Sequence, residues 1–224
     1  MSERFVASDP EDPHADQPIV TGGAPAMAAD VAVVLLHGRG ATAKGMVASA
    51  DDFYRHGVTF LAPQAAHQNW YPASFDAPRE ANEPALTSAV DRVGAALDRA
   101  ADVGIPPART VILGFSQGAC VAAEFVRRHP RRYGGVVVLA GALPGEETPD
   151  PGEQSLDGTP VFLGCADDDP HVPVERVHES ARVLEAMDGD VTEEIYADAG
   201  HSITGGEVEA VQSLLADLLD GENE

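Results

Sequence analysis

Thr110-Val111-Ile112-Leu113-Gly114-Phe115-Ser116-Gln117-Gly118-Ala119-Cys120-Val121-Ala122-Ala123 changes character at its centre. An apolar run of strand type stops at Gly-x-Ser-x-Gly, and an apolar run of helical type begins at once. This is the arrangement in which a serine sits on a tight strand-to-helix turn and is offered as a nucleophile. Gly114 and Gly118 have no Cβ, so strand and helix can come close enough for the turn to close. The helix that follows aims its free N–H groups and positive dipole end back at the serine. Gly-x-Ser-x-Gly alone is a weak pattern; the strand before it and the helix after it give it meaning. The bland alternative is a glycine-rich turn that happens to hold a serine.

Outward from this turn the chain alternates strand and helix. Val31–Leu36 is a continuous apolar run, as in a parallel strand buried on both faces, and His37-Gly38-Arg39-Gly40 follows it directly. A helix is predicted over 43–54, a strand over 58–61, a long helix over 84–103 and a helix from the serine turn to Arg128. Strands follow at 135–139, 160–163 and 191–197, with helices at 174–187 and 207–219; residues 18–25 give a weak edge-strand signal. This alternation predicts an α/β fold with a mostly parallel sheet and helices on both faces. Residues 1–17 read as an acidic, proline-containing tail, mobile or loosely docked, and 18–224 as one domain. The long 63–80 loop carries Trp70, Tyr71 and Phe75, which are read as a pocket wall, with Trp70 as a plug holding the loop onto the core as the equal alternative.

The charge is unusual. The 224 residues include 37 acidic and 14 basic side chains, a formal net charge of −23, and Lys44 is the sole lysine. Such a chain repels itself at low salt and is screened at high salt, a halophilic type of composition. It argues against nucleic acid and anionic membrane surfaces as partners. The two cysteines, Cys120 and Cys165, lie in apolar runs and read as buried, reduced thiols. There is no run of 18 apolar residues and no basic-then-apolar leader pattern. A cytoplasmic protein is expected.

A serine hydroxyl is a weak nucleophile until a base takes its proton, and that base needs a carboxylate to orient it. On this kind of sheet the chain order is serine, acid, histidine, each on the loop after a later strand. Ser116, the Asp167-Asp168-Asp169 turn and His201 supply that order. Of the eight histidines, His201 alone has the turn position after a strand that itself follows the acid; His67 and His171, in loops on the functional side, are weaker candidates. His37 stands at a strand end beside the presumptive oxyanion site, and His14 falls in the tail. No Cys/His cluster has metal-site spacing and no phosphate-binding glycine loop is present, so neither metal nor organic cofactor is expected.

Leu36-His37-Gly38-x-Gly40, Gly114-Phe115-Ser116-Gln117-Gly118-Ala119, Asp169-Pro170-x-Val172-Pro173 and Gly200-His201 resemble the phospholipase/carboxylesterase family, which includes the acyl-protein thioesterases and has the α/β-hydrolase fold. The resemblance spans about residues 31–205. It implies a catalytic Ser116, His201 and an aspartate of the 167–169 turn, with the backbone N–H groups of Arg39 and Gln117 as oxyanion hole. Spacing to the Val-Pro pair selects Asp169, and Pro170 favours an extended backbone there; counting from Gly164 selects Asp167 instead. The implied reaction is hydrolysis of a small-molecule carboxylic ester through an acyl-enzyme. Thioester, lysophospholipid or lactone hydrolysis on the same three residues, or a non-catalytic ligand-binding protein on this scaffold, are the alternatives. A homodimer is compatible with the resemblance. Arg39 stands where an apolar residue is usual, which favours an acidic substrate group if it points inward. His37, Trp70, Tyr71 and Phe75 are the expected substrate contacts.

Overall fold

A computed structural model describes residues 9–221. The strands are β1 (Ile19–Gly23), β2 (Val31–Leu36), β3 (Val58–Pro63), β4 (Thr110–Phe115), β5 (Gly135–Leu139), β6 (Pro160–Ala166) and β7 (Asp190–Tyr196), and they form one sheet in the order β1-β3-β2-β4-β5-β6-β7. β1 runs antiparallel to β3 and every other pairing is parallel. The weak 18–25 signal is thus a real edge strand. Its weakness has a cause: β1 is half-buried at best, whereas β2 is buried along its whole length and reads as unbroken Val/Ala/Leu.

Both faces of the central strands are apolar because helices cover both. Ala32, Val34, Leu36 and Ile112 face one layer with α2 (Ala85–Ala101), α3 (Gln117–Arg128) and α4 (Val174–Ala186). Val31, Val33, Leu35, Val111 and Leu113 face the other, with α1 (Ala43–Ser49) and α5 (Gly205–Asp220). The period-2 alternation of side chains divides a uniformly apolar run between two cores. α1 is shorter than the predicted 43–54: it ends at Ser49, and Ala50–Phe53 continue as a tighter 3-10 turn that drops Phe53 into the core.

The acidic N-terminal segment is docked where it is described. The His14 imidazole is buried, and Arg92 of α2 donates to the carbonyls of Ala15 (3.2 Å) and Gln17 (2.5 Å). Residues 1–8, also assigned to the tail, lie outside the described residues. A single charged residue, Glu124, is fully buried within α3. It is held by Arg79, Arg127 and Arg128, with the Arg127 contacts at 3.0 and 2.9 Å. Three charge-assisted partners offset the desolvation of one carboxylate, and their attraction holds its pKa low against the opposing effect of burial. The clamp ties the turn at Arg79 to the helix that begins at the nucleophilic serine.

Candidate active site

The turn between β4 and α3 is built as the sequence requires. Ser116 has φ 56° and ψ −122°, a conformation outside the ordinary regions for a residue with a Cβ and worth about 1–3 kcal/mol of strain. The close approach around it explains the glycines. A Cβ on Gly118 would lie 2.2 Å from the Leu36 carbonyl oxygen, and one on Gly114 would lie 2.3 Å from that of Gly118. The strand is anchored by a Ser116 N–H to Leu139 carbonyl bond of 2.9 Å, so the side chain projects from the C-terminal end of the sheet.

Two further loops reach the same end. His201, after β7, places Nε2 2.8 Å from Ser116 Oγ. Its Nδ1 lies 2.7 Å from Asp169 Oδ2, after β6. The Asp169 side chain is fully buried, and all of its capacity is used. Oδ1 accepts the backbone N–H groups of His171 (2.8 Å) and Val172 (3.1 Å), while the Cys165 thiol lies 3.9 Å from Oδ2. Burial, with the neighbouring Asp169 and Glu207 carboxylates, pushes the Cys165 thiol up to about 12. It is a proton-bearing neighbour of Asp169 at neutral pH. The choice between Asp167 and Asp169 is thereby a geometric matter: Asp169 meets His201. Asp167 and Asp168 instead accept the backbone N–H groups of Asp198 (3.0 Å) and Gly200 (2.7 Å). Three consecutive aspartates thus hold one loop, two by its backbone and one by its histidine.

Among the described residues the backbone N–H groups of Arg39 and Gln117 meet no acceptor. Gln117 is the first residue of α3, where an N–H has no intrahelical partner. The sequence reading gave Gln117 only this backbone role, and its side chain has a second one. The buried amide accepts the Trp70 N–H (2.9 Å) and donates to Asn69 Oδ1 and to the Tyr71 carbonyl, each at 2.8 Å. It staples the 69–71 loop to the serine turn. The Arg39 guanidinium closes the same loop from outside. It donates to the carbonyls of Tyr71 (3.0 Å), Pro72 (3.1 Å) and Ala73 (2.6 Å). It is exposed, yet tied to three loop carbonyls rather than free.

A cavity of about 350 Å³ opens over Ser116 and His201, walled by Arg39, Phe75, Cys120, His171 and Val172 among others. Of the expected substrate contacts, Phe75 is in this wall. His37, Trp70 and Tyr71 are not. Trp70 is fully buried and donates its indole N–H to the His37 carbonyl (2.8 Å). Tyr71 is buried too. His37 is buried under the loop. Large aromatic rings in a long loop anchor it to the core before they can reach a ligand, and Trp70 takes the second of its two readings, a plug that holds the loop down. His171, a weaker candidate for the base, stands edge-on to His201 with ring centres 4.8 Å apart.

Two buried imidazoles set a pH limit on this scaffold. His14 Nδ1 accepts the Ala66 N–H (3.0 Å), so its Nε2–H donates to the Trp70 carbonyl (2.9 Å). His37 Nε2 accepts the Ala65 N–H (3.1 Å), so its Nδ1–H donates to the Gly38 carbonyl (2.8 Å). Each ring is fixed neutral, and burial lowers the pKa of both below the usual 6.5. With folded values below the unfolded one, the unfolded chain binds more protons as pH falls. The stabilisation is complete above pH 6.5 and is lost progressively below it. Calorimetry at constant salt should record a Tm that falls between about pH 7 and pH 5, above the range where carboxylates dominate. A Tm flat over that interval contradicts the assignment of neutral rings.

Residues 17–219 match the phospholipase/carboxylesterase family. A phospholipase/carboxylesterase structure from Dyadobacter fermentans superposes with a TM-score of 0.85 at 39% identity, covering 89% of this chain and 96% of that one. A Bacillus cereus carboxylesterase at 21% identity shares the fold, with a TM-score of 0.71 over 91% of this chain and 95% of its own. Acyl-protein thioesterase 1 of Emericella nidulans is 26% identical over 85% of this chain and 91% of that protein. The same-named protein of Gibberella zeae is 32% identical over 54% of this chain and 53% of its own, so that match spans about half the length of the curated relative. An α/β-hydrolase sheet, a family match across nearly its whole length and a serine turn of this construction lead to one statement: the chain belongs to the phospholipase/carboxylesterase family.

Proposed function

We propose that this protein is a serine ester hydrolase that cleaves small carboxylic esters through an acyl-enzyme on Ser116. One observation carries the reading: the continuous hydrogen-bond line from Ser116 Oγ to His201 to buried Asp169, at 2.8 and 2.7 Å. His201 Nε2 takes the Ser116 proton as Oγ bonds to the substrate carbonyl carbon. The oxygen that gains negative charge is received by the N–H groups of Arg39 and Gln117, where loss of one donor costs roughly 3 kcal/mol of barrier. The carbon–oxygen bond to the alcohol then breaks, and the imidazolium returns its proton to the departing oxygen. Water repeats the sequence and releases the acid and free Ser116. Asp169 keeps the imidazole in the one tautomer that presents a bare Nε2 to serine.

The cavity volume of about 350 Å³ suits a short acyl group rather than a long lipid chain. Thioester hydrolysis on the same residues is the second reading, supported by relatives named acyl-protein thioesterase. The test is mass spectrometry after a serine-directed fluorophosphonate, followed by rates on matched short ester, thioester and lactone substrates. Wild type should gain one adduct and Ser116→Ala none; the oxygen ester should be the fastest of the three. An equal adduct on both proteins removes Ser116 as nucleophile, and no adduct at all leaves a ligand-binding protein. A faster thioester selects the second reading.

A further inference from the structure

A second cavity lies on the other side of the serine turn. It measures about 500 Å³ and is walled mainly by Met46, Phe53, Phe115, Ile203 and Val208, with Gly38 at its inner end. It opens outward between exposed Ala41, Gly45 and Ser49. Three contacts join it to the chemistry. A Cβ at Gly38 would stand 3.4 Å from Ser116 Cβ and 3.4 Å from the Phe115 ring, so Gly38 is a bare threshold between groove and nucleophile. The Phe115 ring lies 5.1 Å from the His201 ring, centre to centre. Ile203 sits two residues after His201, on the same loop.

His201 stands between the two spaces, with Phe115 of the groove on one flank and His171 of the serine cavity on the other. The two halves of an ester have different requirements there. The acyl half stays bonded to Ser116 Oγ after the first step, so it must occupy the cavity that contains Ser116, with Cys120, Phe75 and Val172 around it. The alcohol half leaves and takes its proton from His201. It needs a space close to His201 and the serine that does not enclose Oγ; the groove, which neither residue lines, comes within reach of them through Gly38, next to Ser116, and the Phe115 ring, next to His201.

We infer that this groove is the leaving-group subsite and that it selects esters of apolar, uncharged alcohols. The groove's walls are apolar, and the polar side chains that border it at the surface, Ser49 and Asp52, include one carboxylate and no cation. An apolar alkyl chain gains by leaving water, and an anionic alcohol is turned away at the rim. The inference rests on the ester-hydrolase reading and sharpens it by dividing the substrate between two cavities of unequal size.

The test holds the acyl group at acetyl and lengthens the alcohol from methyl to hexyl. kcat/KM should rise about fourfold for each methylene that enters the groove, whereas lengthening the acyl group of a methyl ester should bring no such rise. Ser49→Trp fills the groove from an exposed helical position. It should cut the hexyl-to-methyl ratio of kcat/KM by at least tenfold, each variant being read against its own methyl acetate rate. A wild-type enzyme that takes the fluorophosphonate yet shows no alcohol-length gradient overturns this inference alone. A gradient that Ser49→Trp leaves intact overturns the groove as its seat. A protein that is neither labelled nor active on any ester overturns the hydrolase reading with it.

Discussion

Replacing Asp169 by asparagine should lower kcat by about 10⁴-fold with little change in fold. Asparagine keeps the size of the side chain, and its oxygen can still accept from the N–H groups of His171 and Val172. Its NH₂ group then faces His201 Nδ1, which must accept instead of donate, so the imidazole presents an N–H to Ser116 in place of a lone pair. The neighbours make the test specific. Asp167→Asn and Asp168→Asn keep an oxygen acceptor for the N–H groups of Asp198 and Gly200 and touch neither His201 nor Ser116. They should stay within about tenfold of wild type, the difference being the loss of charge from bonds that remain made. Steady-state kinetics of the three variants on one ester decide it. An Asp167→Asn loss as deep as that of Asp169→Asn would refute the assignment.

Most of this arrangement was legible from the residues, for reasons that also mark where legibility ends. β2, β4 and β5 are buried on both faces, so their sequences are unbroken apolar runs that resemble nothing else. The Gly114 and Gly118 spacing is dictated by backbone contacts closer than 2.5 Å to any added Cβ, so it is visible as a motif. Asp169 could be told from Asp167 only by resemblance, because all three aspartates of the turn are polar residues with the same local grammar and differ in which loop atom they meet. The Gln117 staple was invisible because its partners lie 46 to 48 positions away. For Trp70 two readings stay open in the sequence, since composition cannot separate an aromatic that lines a pocket from one that anchors its wall.

Dilution from 1 M to 0.1 M potassium chloride should lower the Tm by on the order of 10 °C, which corresponds to several kcal/mol at about 2–4 °C each. The screening length grows from ~3 Å to ~10 Å over that change, and 37 acidic side chains against 14 basic ones then feel each other. The structure adds a reason beyond the count. Several of the arginines direct their donors at main-chain carbonyls: Arg39 at the 71–73 loop, Arg55 at Gln212, Arg92 at Ala15 and Gln17, and Arg132 at Asp157 and Gly158. Three others converge on the single carboxylate of Glu124. These cations keep their charge but are held on those partners, so they are not free to pair with other acids of the surface. Thermal melts in potassium chloride, set beside melts in a neutral osmolyte at matched pH, separate charge screening from general stabilisation. Midpoints that do not move with salt would remove the halophilic reading.

Trp70 is the only tryptophan in the chain. It is fully buried, its indole N–H is bonded to the His37 carbonyl, and the His14 and His37 rings stand 5.4 and 5.0 Å from it. Its backbone N–H is held by the side chain of Gln117, the residue that follows Ser116. Excitation near 295 nm, where tyrosine is silent, therefore reads one residue against the wall of the active site. Its emission maximum should be blue-shifted at neutral pH, and should move red when either imidazole takes a proton and water enters. The protein carries a built-in optical reporter of the packing behind the candidate active site, free of any label and of any second tryptophan to subtract.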